Sequence, residues 1–207
     1  MPHLLWPFFN NNWPLLNDLF RCATRAMLRW ARRQGIDVGI FCALHTYGRQ
    51  LNQHPHIHVS VTRGGLDVKH NVWRQLFFKK KDVEQIWRNA VIYLLRDNYA
   101  GINPGSLPGF VHIRNEERWY RYLYAQYRRA WKVLFAKKTR GAWRCVKYLG
   151  RYLKRPPVGL PSSGITAAAP WSIRITITVR SNINAKKSVR KRCCSAISAI
   201  FRHCILR

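Results

Sequence analysis

The seven residues His56-Ile57-His58-Val59-Ser60-Val61-Thr62 alternate strictly between polar and apolar side chains. In an extended strand successive side chains leave on opposite faces, so Ile57, Val59 and Val61 share one face and His56, His58, Ser60 and Thr62 the other. A helix cannot segregate a period-two pattern. The chain must therefore build a sheet with an apolar face, and that face needs a second layer packed against it. Gly64-Gly65 reads as the break that ends the strand.

Helices are available for that layer. Residues 14–33 set Leu15, Leu16, Leu19, Phe20, Ala23, Met27 and Trp30 at three- and four-residue spacings, which predicts an amphipathic helix ending at Gln34-Gly35. Residues 37–46 are largely apolar and read as a strand covered on both faces, and Gly48 to Pro55 as a polar loop. Asp82 is a candidate N-cap for a helix to about Asp97, with Val83, Ile86, Trp87, Ala90, Val91, Leu94 and Leu95 as its stripe. A loop from Gly101 to Gly109, a short strand near Phe110–Ile113 and a basic, aromatic helix over about 116–136 follow. Gly141 opens one more helix, which Pro156-Pro157 must end. This order predicts an α+β fold with helices packed on an antiparallel sheet. Beyond residue 158 the sequence becomes rich in small, basic and serine residues. Residues 175–179, ITITV, are strand-like and the end carries a weak helical stripe. The expected organisation is one domain over 1–158 and a basic, poorly ordered tail over 159–207.

Composition narrows the partners. The chain carries 37 Lys and Arg against 8 Asp and Glu, a net charge of +29. All eight acids lie at or before Glu117 beside 15 bases, whereas residues 118–207 hold 22 bases and no acid. So one-sided a field attracts polyanions, and nucleic acid rewards Arg and Trp together because guanidinium groups pair phosphates while indoles stack on bases. An anionic membrane surface is the rival, but membrane-surface helices segregate their bases from Leu and Phe. Residues 119–138, WYRYLYAQYRRAWKVLFAKK, interleave them instead. A hydrophobic fraction of 47% excludes disorder throughout. No apolar run is long enough to span a bilayer, and the first residues lack a basic n-region and cleavage site, so a soluble cytoplasmic protein is expected. Cys22, Cys42, Cys145, Cys193, Cys194 and Cys204 form no CxxC pair and read as reduced thiols. Cys193, Cys194, His203 and Cys204 make a poor zinc set, because adjacent cysteines rarely reach one tetrahedral ion.

Two constellations carry chemistry. His56 and His58 project side by side from one strand face, where two imidazole nitrogens can grip one divalent ion; the alternative is a pair of surface histidines on an exposed sheet face. In residues 142–155, Ala142, Val146, Leu149 and Leu153 form a buried stripe while Arg144, Arg151 and Arg155 line the opposite side. Tyr148 and Tyr152, one turn apart, lie between them and can reach a phosphate held there; the alternative is two boundary tyrosines that snorkel. A tyrosine attacking a phosphodiester needs a metal to polarise the phosphate and cations to hold the strand, and the chain has all three parts.

Residues 44–67, LHTYGRQLNQHPHIHVSVTRGGLD, and 147–158, KYLGRYLKRPPV, resemble the two signature regions of two-tyrosine HUH transposases of the insertion-sequence-91 family. The likeness runs from about Leu4 to Val158. It implies a ferredoxin-like HUH-endonuclease palm with the metal held by His56 and His58 and with Tyr148 and Tyr152 as nucleophiles. His45, Gln53 and His54 are candidates for a third ligand. The cofactor implied is Mg²⁺ or Mn²⁺, imidazole ligands tolerating Mn²⁺ better. The partner implied is single-stranded DNA at transposon ends, with Arg128, Arg129, Lys132, Arg144, Arg151 and Arg155 as candidate contacts, and the setting is the prokaryotic nucleoid. Family members begin with a cysteine-rich zinc-binding region and a first strand, so the palm is expected to lack a strand. The likeness fades at about Ser163, which a frameshift in the gene would explain. A non-catalytic nucleic-acid-binding remnant and a rolling-circle initiator or relaxase are the alternatives.

Overall fold

Helix α1 spans Trp13–Arg33 and follows a 3-10 turn over His3–Phe9; the computed structural model describes residues 1–47, 53–135, 174–178 and 201–206. The Asn12 side chain caps α1 by accepting from the Leu15 N–H at 3.1 Å. Arg32 and Arg33 stand in its last turn, where the helix dipole favours cations. Gly35, at φ 72°, then reverses the chain into strand β1, Ile36–Tyr47.

Strand β2, Gln53–Asp67, is the centre of the sheet. It pairs antiparallel with β1, with β3 (Val72–Gln75) and with β6 (Phe201–Leu206). Strand β4 (Val133–Phe135) lies beyond β6, and β5 (Arg174–Thr178) pairs with the far side of β1. The resulting order is β4-β6-β2-β1-β5, with β3 continuing alongside β2. Both β5 and β6 come from beyond residue 158, and β5 overlaps the ITITV segment, one residue earlier.

The apolar face of the sheet meets the helices. Ile57, Val59 and Val61 are at most 1% exposed and share one core with Ile36, Val38, Ile40, Cys42 and Leu44 of β1. Leu19, Ala23 and Met27 of α1 and Val83, Trp87, Val91 and Leu95 of α2 (Lys80–Asp97) close that core. Burying each such aliphatic side chain contributes about 1.5–3 kcal/mol. A short helix α3 (Tyr99–Ile102), a 3-10 turn at Pro104–Ser106 and helix α4 (Glu116–Tyr127) complete the layer. The Trp119 indole, fully buried, donates to the Leu95 carbonyl at 3.1 Å and ties α4 to α2.

Several local expectations are corrected: β2 begins at Gln53, inside the loop expected to run to Pro55, and the end of the chain forms strand β6 where the sequence carries a weak helical stripe. β2 does not end at Gly64-Gly65. A Cβ on Gly65 would lie 2.0 Å from the Asp37 carbonyl oxygen and one on Gly64 2.6 Å from that of Arg74, so these glycines let β1 and β3 close onto β2. α2 begins at Lys80 rather than after an Asp82 cap, and Asp82 sits in its first turn, favoured by the dipole. Phe110–Ile113 is a pair of turns, its amides bonding to Leu107 and Phe110 carbonyls, not a strand. The basic aromatic helix stops at Tyr127. Buried Trp131 donates to the Gln126 carbonyl at 3.2 Å, and from Trp131 to Val133 the burial switches to a period of two as the chain enters β4. The helix expected from Gly141 lies outside the described residues.

Candidate metal centre

The second face of the sheet carries the histidines. His45 stands directly across from His56 in the β1–β2 ladder, and Ala43 across from His58. Opposed residues share a face, so the pairing brings an imidazole from β1 against the two on β2. Ring centroids lie 4.4 Å apart for His45–His58, 5.2 Å for His45–His56 and 5.1 Å for His56–His58. One ligand nitrogen from each of the three falls within 4.8 Å of the other two.

This face is not an exposed one, as one of the two readings of the strand had it: His56 and His58 are each 7% exposed, and Ser60 and Thr62 are buried. A bulge next to His56 helps build the cluster. His54 and Pro55 together oppose Thr46, shifting the register between His45 and Tyr47. Proline has no N–H to give the ladder, which favours a bulge here, and bulges re-aim neighbouring side chains. His56 Nδ1 lies 2.7 Å from the His54 carbonyl oxygen. A carbonyl only accepts, so Nδ1 carries the proton and Nε2 presents its lone pair, the tautomer that a metal ligand needs.

His45 is neutral at physiological pH. Burial, aided by repulsion from His56, pulls its pKa down from 6.5 to about 4. Three buried or half-buried imidazoles, one neutral and one fixed in its tautomer, fit a divalent transition ion, whose imidazole bonds are about 2.1 Å long.

Of the three candidates for a third ligand, His45 joins the cluster. The His54 ring lies beside it, 4.8 Å from the His56 ring and 4.4 Å from Trp6, while Gln53 lines a small cleft with Phe9, Trp13 and Pro55. Trp6 was not foreseen. Its indole flanks the histidine whose carbonyl orients His56, and no local pattern announces a contact made across 48 residues. Arg128, Arg129 and Lys132 are exposed between α4 and β4. Backbone pairing carries Val133 through Leu206 to Ile57, so this basic segment enters the sheet two strands from the residue between the two histidines. Tyr148, Tyr152, Arg144, Arg151 and Arg155 lie outside the described residues. No described helix is long and apolar enough to cross a membrane.

Comparison with known proteins follows the same lines. Residues 39–189 match the model of the Y2_Tnp family, described as "Putative transposase". That span contains both the histidine and the tyrosine segments and continues past residue 163. The chain is 45% identical over 162 residues to the "Transposase for insertion sequence element IS801" of Pseudomonas savastanoi pv. phaseolicola, a match covering 76% of this chain and 38% of the relative. It is 31% identical over 147 residues to "Putative transposase y4qJ" of Sinorhizobium fredii (strain NBRC 101917 / NGR234), covering 66% of this chain and 36% of that one. The chain thus spans little more than a third of the length of these relatives. No solved structure matches it.

Proposed function

Because the chain belongs to the Y2_Tnp transposase family, we propose that it cuts and rejoins single-stranded DNA at transposon ends through a 5′-phosphotyrosine intermediate. The observation that carries this reading is the convergence of His45, His56 and His58 on the central strand pair. Mg²⁺ or Mn²⁺ bound there would neutralise charge on the scissile phosphate and polarise it toward attack. His56 and His58 would hold the ion, with His45 as the third imidazole. Tyr148 or Tyr152 supplies the phenol oxygen that bonds to phosphorus, while the 3′-oxygen of the neighbouring nucleotide leaves as a hydroxyl after taking a proton. The energy of the broken bond is kept in the phosphotyrosine, so the 3′-hydroxyl of another strand can reverse the step without an external nucleotide. The second tyrosine serves the second cleavage. Arg128, Arg129, Lys132, Arg144, Arg151 and Arg155 hold the backbone of the strand. Such a protein works in the prokaryotic cytoplasm at the nucleoid.

The test is a labelled single-stranded oligonucleotide carrying a transposon end, incubated with Mn²⁺ and run on a denaturing gel. A retarded, protein-linked band is expected, weakened by Tyr148→Phe or Tyr152→Phe and abolished by both. Binding without a covalent band would instead identify a non-catalytic nucleic-acid-binding remnant. An unchanged band in the double variant would sink the assignment of the tyrosines.

A further inference from the structure

Across the helical layer from the histidine face, α2 and α4 leave a groove of about 780 Å³ between them. Tyr93 of α2 and Tyr120 and Tyr124 of α4 line it and are 54%, 43% and 63% exposed. Three such rings exposed together in one groove form an unusually aromatic surface patch. Tyr120 and Tyr124 stand one helical turn apart on the same face, about 6 Å along the axis.

Basic side chains stand against the rings that line the groove. The guanidinium of Arg96 lies 4.8 Å from the Tyr93 ring centre, that of Arg88 5.2 Å from Tyr127 and that of Arg128 6.0 Å from Tyr124. The two acids beside it are engaged: Asp97 pairs with Arg96 at 3.0 Å, and Glu116 accepts from the Tyr120 hydroxyl at 3.2 Å. Arg88 Nε is buried and has no hydrogen-bond partner among the described residues. At one end of the groove the Gln85 amide donates to the Tyr127 hydroxyl at 2.6 Å, which in turn donates to the Asn89 side chain at 3.0 Å, joining α2 to α4.

We propose that this α2–α4 groove is a second single-stranded-DNA site, which holds a stretch of the strand away from the point of cleavage. It rests on the reading of the chain as a single-strand DNA transposase and names a surface for that partner. Exposed rings offer faces on which bases of any sequence stack, and guanidinium groups poised beside the rings pair the intervening phosphates. A second copy of the chain is a poor occupant, since two bodies of charge +29 repel.

Fluorescein-labelled oligo(dT) of thirty nucleotides is the probe, with affinity read by anisotropy at fixed salt. Tyr124→Ala should weaken binding about tenfold and Tyr93→Ala/Tyr124→Ala about a hundredfold, whereas Tyr93→Phe/Tyr124→Phe, which keeps the rings, should bind like the unmodified chain. Circular dichroism and the thermal shift with Mn²⁺ should be unchanged in all three, since the rings are exposed and far from the histidines. Equal binding by the alanine and unmodified proteins would overturn the groove while leaving the histidine site standing. Absence of oligonucleotide binding by the unmodified chain would overturn both. Loss of self-association with no loss of DNA affinity in the alanine variants would assign the groove to a second copy instead.

Discussion

Lowering the pH of the metal-free protein from 7.5 toward 4 exposes the cost of packing three imidazoles together. His45 has its pKa drawn down from 6.5 to about 4 by burial and by His56. In the unfolded chain it takes up a proton as the pH passes about 6.5, while in the folded chain it stays neutral until about 4. The unfolded state therefore binds more protons across that window, and stability falls with pH from about 6.5 down to 4 and is flat above 7. A difference of about 2.5 units at 1.36 kcal/mol per unit sets a ceiling of roughly 3 kcal/mol, and partial exposure of the ring brings it to about 2 kcal/mol. Urea denaturation in EDTA at half-unit steps measures the curve, and His45→Gln, which holds a polar group there without titrating, should remove this slope selectively. Asp67 does not interfere, because its carboxyl, held below the usual carboxylate range chiefly by His70, loses its contribution only under pH 4. Parallel curves for the unmodified chain and His45→Gln between pH 6.5 and 4 would refute the account of His45 as a buried neutral imidazole.

Two further outcomes follow from the same geometry. Mn²⁺ at a hundred times its dissociation constant should stabilise the native chain by about 2.7 kcal/mol, a rise of roughly 5–10 °C in melting temperature, and His58→Gln should remove most of it. Gly65→Ala, whose Cβ would lie 2.0 Å from the Asp37 oxygen, should cost about 1–3 kcal/mol in chemical denaturation. Gly101→Ala, with nothing within 4 Å, should be neutral or stabilising by up to about 1 kcal/mol.

Much of this architecture can be read locally, because periodicity is a local property. The stripe of α1 ends at Arg33 and that of α2 at Asp97, close to where the spacing of apolar residues ends them. The alternation of β2 separates a core face from a histidine face, and the structure keeps that separation. What the sequence does not carry is what covers each face. A strand with polar residues on one side reads as half exposed, yet His56, His58, Ser60 and Thr62 are buried. Glycines mislead for a related reason: Gly64-Gly65 looks like a stop when read alone, but here the missing side chains admit two neighbouring strands. The Trp119–Lys138 run keeps its helical look past Tyr127 because aromatic and basic residues serve helix and strand alike, and only the burial of Trp131 and Val133 decides the change. His45 could be picked from Gln53 and His54 only through the β1–β2 register, which the intervening loop does not fix. Trp6 depends on a contact with His54, 48 residues away.

The central claim is that the histidine cluster and the tyrosine pair serve one reaction. Its most direct test is to trap the protein on single-stranded transposon-end DNA with Mn²⁺, digest it, and locate the attached nucleotide by mass spectrometry. The predicted result is a 5′-phosphoryl nucleotide on Tyr148 or Tyr152, formed by the unmodified chain and lost in His58→Ala. An adduct on another residue, or one formed equally well by His58→Ala, would contradict it.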